Sequence, residues 1–315
     1  MAKYRNDLPQ LSSDLFLTDG GLETTLIFHN GLELPYFAAF DLLKKDKGHH
    51  HLYEYFSTYA HIARNHNVGI ILESATWRAS SDWGEKLGYS RESLADINHK
   101  AIELLQDIRK EYENGKTKIV ISGCVGPRGD GYNLADIRSE EEAEHYHRTQ
   151  IETFSETSAD LVTALTLSYA EEAIGLTRAA KSAAMPVVIS FTVETDGTLP
   201  SGQTLKDAIE AVDKATNNTP VYYMVNCAHP THFEDALSAG EPWLKRLRGI
   251  RANASTKSHD ELDEAVELDD GNPGELGSQY SELRSRLSNL NVLGGCCGTD
   301  HRHIEEIFKA CVPQS

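Results

Sequence analysis

The chain has 315 residues, with 48 acidic against 30 basic and a formal net charge of −18. Such acidity argues against a nucleic-acid partner, because a phosphate backbone demands a basic face, while it leaves a small cation unrepelled. Hydrophobic residues make up 40% and aromatics 8%, enough for a sizeable core. No apolar run reaches the roughly 18 residues of a membrane span. Residues 1–14 carry Lys3, Arg5 and Asp7 and no apolar signal core, so a cytoplasmic protein is expected.

In chain order, short β-branched apolar runs predict eight strands, at 15–18, 68–72, 118–122, 160–164, 187–192, 221–226, 249–253 and 291–293. Between them lie amphipathic stretches with helical spacing. In 92–114, for instance, Leu94, Ile97, Ala101, Leu104, Leu105 and Ile108 share one face. Segments 141–158 and 203–216 read the same way. Eight strands alternating with helices is the count of an α/β fold of the (β/α)8, or TIM, barrel type; a doubly wound open sheet is the rival. No linker rich in Pro, Gly or Ser divides residues 1–315, so a single domain is expected. The acidic stretch 259–282 is expected to be a solvated loop, or else a lid over the barrel mouth.

Barrel chemistry sits at the C-terminal ends of the strands, and polar residues follow almost every predicted strand here. Asp19-Gly20-Gly21 and Glu23 follow the first, Glu73 and Thr76 the second, Glu194 the fifth, Asn226-Cys227 the sixth and Cys296-Cys297 the eighth. Five cysteines in a reducing compartment do not make a disulfide scaffold. A closed barrel brings the ends of strands six and eight to one point. Converging there, Cys227, Cys296 and Cys297 would make a three-thiolate zinc site with an open position, the mark of a catalytic metal, with ordinary core cysteine as the alternative. Cys124 is read as a small apolar filler, Cys311 as a bystander, and His301 and His303 as facing solvent or the site rim.

These segments, with Ser122-Gly123-Cys124-Val125-Gly126-Pro127, Ser190-Phe191-Thr192 and Gly294-Gly295-Cys296-Cys297-Gly298, resemble the homocysteine S-methyltransferase family in order and over residues 18–298. The resemblance implies a (β/α)8 barrel and a zinc ion held by Cys227, Cys296 and Cys297. It places Asp19, expected as the catalytic residue, with Gly20 and Gly21 at the amino acid acceptor, and Glu23, Glu73, Thr76, Glu194 and Asn226 are added as substrate-binding candidates. The short members of the family move a methyl group from S-methylmethionine or betaine to homocysteine, giving methionine. That reaction is the main expectation. A different thiol or selenol acceptor, or a non-catalytic zinc- or thiol-binding barrel, are the alternatives.

The family's glutamate after strand four falls on Leu165, which cannot pair with an ammonium. Glu73 and Glu194 are the neighbouring carboxylates able to replace it. Tyr36, Phe37, Trp77 and Trp83 are candidates to face the donor's cation.

Overall fold

The computed structural model describes residues 1–132, 134, 137–237, 240–265 and 267–312. Eight parallel strands, β1 (Phe16–Leu17), β2 (Gly69–Glu73), β3 (Ile119–Val125), β4 (Leu161–Leu167), β5 (Val187–Phe191), β6 (Tyr222–Asn226), β7 (Leu247–Ala252) and β8 (Val292–Gly295), close into a barrel in sequence order. Closure is made by β1 against β8, with Phe16 opposite Val292 and Leu17 opposite Leu293. The open-sheet rival is thereby set aside.

Every strand residue except Arg248 of β7 is buried, which is why most of the strands read as apolar runs. One large apolar cluster lies between strands and helices. A second includes Phe16, Ile71, Val120, Leu161, Val188 and Met224 from the strands themselves. The helix Arg91–Tyr112 follows the predicted spacing. Ser90 caps it by accepting from Ser93 N, and Leu94, Ile97, Ala101, Leu105 and Ile108 are buried.

The segment 259–282 is not the expected loop. It opens with a helix at His259–Asp263, started by a reciprocal Ser258–Glu261 capping box, and ends within the helix Pro273–Arg286. Asn272 caps that second helix, Pro273 stands at its first position, and Leu276, Tyr280 and Leu283 bury one face. Acidic composition masked the helical period. Among the described residues no helix is long and apolar enough to cross a membrane.

Where β1 meets β8, glycine is required by contact. A Cβ on Gly21 would stand 2.7 Å from the carbonyl oxygen of Cys296. One on Gly20 would stand 2.8 Å from the Tyr59 hydroxyl. The two chain ends therefore pass close enough for Gly295 N to donate to Asp19 O at 2.9 Å.

Candidate metal and substrate site

At the C-terminal mouth, Cys227 leaves β6 and Cys296-Cys297 leave β8. Their three Sγ atoms all lie within 4.8 Å of one another. Cys227 Sγ and Cys297 Sγ are 3.5 Å apart. Cys227 holds a left-handed backbone (φ 60°), as does Thr166 (φ 64°) at the end of β4. A β-branched residue there is a genuine outlier, and each such residue costs on the order of 1–3 kcal/mol.

Asn226 fixes Thr166, and Cys227 N donates to Arg251 O at 3.1 Å. Asn226 Oδ1 accepts from Thr166 N at 2.8 Å and from Ser190 Oγ at 2.6 Å, while its Nδ2 donates to Thr166 Oγ1 at 2.8 Å. The β4–β5 register also shifts between Ala164 and Leu167, so the strand is irregular where Leu165 meets the site.

Hydrogen bonds with Cys227 and Cys297 hold the Cys296 thiol well below its ordinary range. Those same bonds to Cys296 push Cys227 up, and the bond to Cys227 pushes Cys297 up. Three soft donors at this spacing, beside a cavity of about 110 Å³, are suited to hold a thiophilic metal ion such as zinc.

The cavity is walled by Asp19, Gly20, Gly21 and Glu23 after β1, by Glu73 and Trp77 after β2, and by Leu165, Asn226 and the three cysteines. Burial pushes the Glu23 carboxyl up to about 7. Thr76 and Glu194 do not reach this wall. Thr76 is wholly buried and donates to Cys124 O at 2.7 Å, and Glu194 lies in a half-exposed turn where its N–H donates to Thr198 O at 2.8 Å. Cys124 lines the cavity but stands outside the three-sulfur cluster. His303, expected at solvent or the rim, is fully buried between Asp300 and the carbonyl of Asp270.

Two residues of the site went unseen in the sequence. Arg251 of β7 lies beneath the cavity, with Nη2 2.8 Å from Asp19 Oδ1, Nη1 on Glu73 Oε2 and Nε donating to Gly295 O at 3.0 Å. Glu73 is therefore already paired. A charge inside a strand was the available signal, shared with Arg248, because such a residue is seldom buried alone.

Tyr132, in the loop after β3, brings its hydroxyl to 2.7 Å from Cys227 Sγ and packs its ring 4.3 Å from that of His259. No sequence pattern marks it. The aromatic residues also differ from expectation. The Arg78 guanidinium lies 4.2 Å from the Trp77 ring and 4.1 Å from the Trp83 ring, and Lys86 Nζ covers Trp83 at 3.9 Å. Protein cations thus lie against Trp77 and Trp83, while Tyr36 and Phe37 are about half exposed.

A barrel with three convergent thiols at its C-terminal mouth defines a class of metal-site enzyme scaffold. The homocysteine S-methyltransferase family profile matches residues 16–311, and the chain belongs to that family. Homocysteine S-methyltransferase 2 of Arabidopsis thaliana is 24% identical over 77% of this chain and 78% of its own length. Selenocysteine Se-methyltransferase of Brassica oleracea var. italica is 25% identical over 94% of this chain and 88% of its own. Crystal structures of the Escherichia coli homocysteine methyltransferase MmuM share the fold. The oxidized form has a TM-score of 0.77 at 19% identity, covering 98% of this chain and 99% of that one. The metallated form has a TM-score of 0.74 at 18% identity, covering 97% and 99%.

Proposed function

We propose that this protein transfers a methyl group from a sulfonium or quaternary ammonium donor to a small thiol or selenol acceptor, with zinc held by Cys227, Cys296 and Cys297. The observation that carries the reading is the convergence of three sulfurs on a cavity. When bound, zinc supplies the charge that keeps an acceptor thiol deprotonated near neutral pH, where a free thiol is only a few per cent thiolate.

The chain's own residues supply the rest. Gly20 and Gly21 let the strand end after β1 pass close to Cys296 and Tyr59 beside the cavity, which opens at the exposed Cys297. The acceptor sulfur forms a bond to the methyl carbon as the donor's bond to that carbon breaks. Its electron pair stays on the donor heteroatom, which leaves neutral. Charge disappears in this step, so an apolar surround favours it.

Leu165 decides between acceptors. It lines the cavity where the family pattern carries a glutamate, and Asp19 and Glu73 are paired with Arg251. This favours a thiol or selenol whose recognition does not depend on that glutamate. The selenol is included because the Brassica relative is a selenocysteine Se-methyltransferase.

The test is a panel of homocysteine, selenocysteine and simple thiols at fixed donor, with and without chelator. Zinc-dependent methylation of at least one acceptor is expected, with homocysteine not preferred over amine-free thiols. Binding of thiols without methylation of any would leave the non-catalytic barrel. A strong preference for homocysteine would restore the family's usual acceptor.

A further inference from the structure

Arg78 is 8% exposed and sits directly after Trp77, which lines the cavity. Its guanidinium is flanked by two indoles, Trp77 and Trp83, and Nη1 donates to Gly129 O at 2.6 Å. Gly129 belongs to the loop that carries Tyr132 to the cavity wall. Nε is buried without a partner, and among the described residues Nη2 has no hydrogen bond either. Asp130 and Glu23 act on Arg78 only through space, and Asp130 Oδ1 accepts instead from Tyr132 N at 2.9 Å.

A buried charge is ordinarily paired, and this one lies against two indole rings with donors left over. A planar guanidinium stacked on aromatic rings is preorganised for a carboxylate, which it can meet with two parallel hydrogen bonds. The transferring methyl must point inward at the acceptor sulfur, so the far end of the donor lies toward the rim. Arg78 stands behind the lining residue Trp77 and within electrostatic reach of the lining residues Glu23 and Tyr132, so a donor that is only a cation would meet a like charge on that side. One that carries a carboxylate would meet a complement.

We propose that Arg78 is a specificity-determining residue that receives the carboxylate of the methyl donor and selects against donors lacking one. This rests on the methyl-transfer reading above. It also accounts for the indoles being covered by a protein cation instead of standing open to the onium.

Trp77 and Trp83 flank the residue, so intrinsic fluorescence reports binding without turnover. The zinc-loaded protein is titrated with dimethylsulfonioacetate and with trimethylsulfonium, which differ by the carboxylate, in the parent, Arg78→Gln and Arg78→Lys. The parent is expected to bind dimethylsulfonioacetate at least tenfold more tightly. Arg78→Gln should bring the ratio within threefold, and Arg78→Lys should leave it between the two, because it keeps the charge and loses the fork. A parent without preference, or a ratio unchanged in Arg78→Gln, overturns the proposal. Should Arg78→Gln fail to fold by circular dichroism, the Arg78→Lys ratio decides: a fall supports the clamp and no change overturns it. KM and kcat for the two donors separate the claims. If the parent methylates no thiol with either donor, the methyl-transfer reading fails. If it does so with a donor preference that Arg78→Gln leaves intact, only the clamp fails.

Discussion

Arg251 Nη2 and Asp19 Oδ1 stand 2.8 Å apart beneath the cavity, with both side chains more than nine-tenths buried. Glu73 meets the same guanidinium, and Tyr55 donates to Asp19 Oδ2 at 2.9 Å. The first-strand aspartate is therefore part of a buried charge network before any substrate arrives. Burial pushes both carboxyls upward against the pull of Arg251. Arg251→Met would leave two buried carboxylates without their cation. Removing one partner of a buried pair costs about 3–5 kcal/mol, and urea unfolding near pH 7 should show a loss of that order. A loss below about 1 kcal/mol would mean that the carboxylates find other partners or protonate readily.

Metal content tests the three sulfurs. The purified protein should hold close to one zinc per chain, and Cys227→Ala, Cys296→Ala and Cys297→Ala should each bind far more weakly. Chelation should leave the far-UV circular dichroism intact, because the strand and helix clusters form without metal contacts. Full occupancy in all three variants would remove the site, and unfolding on chelation would make the metal structural.

Leu165 offers the reverse test. It faces the cavity at 8% exposure, so Leu165→Glu would place a carboxylate on the β4 wall. A hydrogen bond to a charged group is worth about 1.5–3 kcal/mol, so homocysteine should gain roughly ten- to a hundredfold in affinity over the same thiol without its amine. Equal effects on both thiols would show that the acceptor's amine points elsewhere.

Glu23 should leave a signature in the pH dependence of stability. Burial raises its folded-state value to about 7 from the ordinary 4.5, so between those limits the folded chain binds more protons than the unfolded one. Its contribution is greatest below 4.5 and is lost as pH rises through 7. In metal-free protein, Glu23→Gln should therefore gain on the parent between pH 4.5 and 7, followed by thermal unfolding at closely spaced pH values. A parent–variant difference flat across that window would place the carboxylate in water.

The barrel and its sulfurs were legible because both leave strong marks. Strands buried on two faces read as apolar runs, and the paired cysteines follow one of them directly. The electrostatics were hidden. Arg251 is one of two arginines in β7, and nothing in the sequence separates it from Arg248; its partners Asp19, just after β1, and Glu73 of β2 are brought near only by closure. Tyr132 reaches Cys227 from a glycine-rich loop whose course no periodicity dictates. Glu194 and Thr76 share the strand-end address of true wall residues, but local turns direct them elsewhere.

The sulfurs of Cys227 and Cys297 are 70 positions apart, and β8 pairs on its other side with β1. The ligands leave β6 and β8, which only β7 joins, so zinc capture becomes a chemical clock for the docking of these three strands. During refolding, a fluorescent zinc indicator should release its ion only after β7 has paired with both neighbours. In the native protein, any breathing of the β6–β7–β8 segment would set the rate at which a strong chelator can strip the metal.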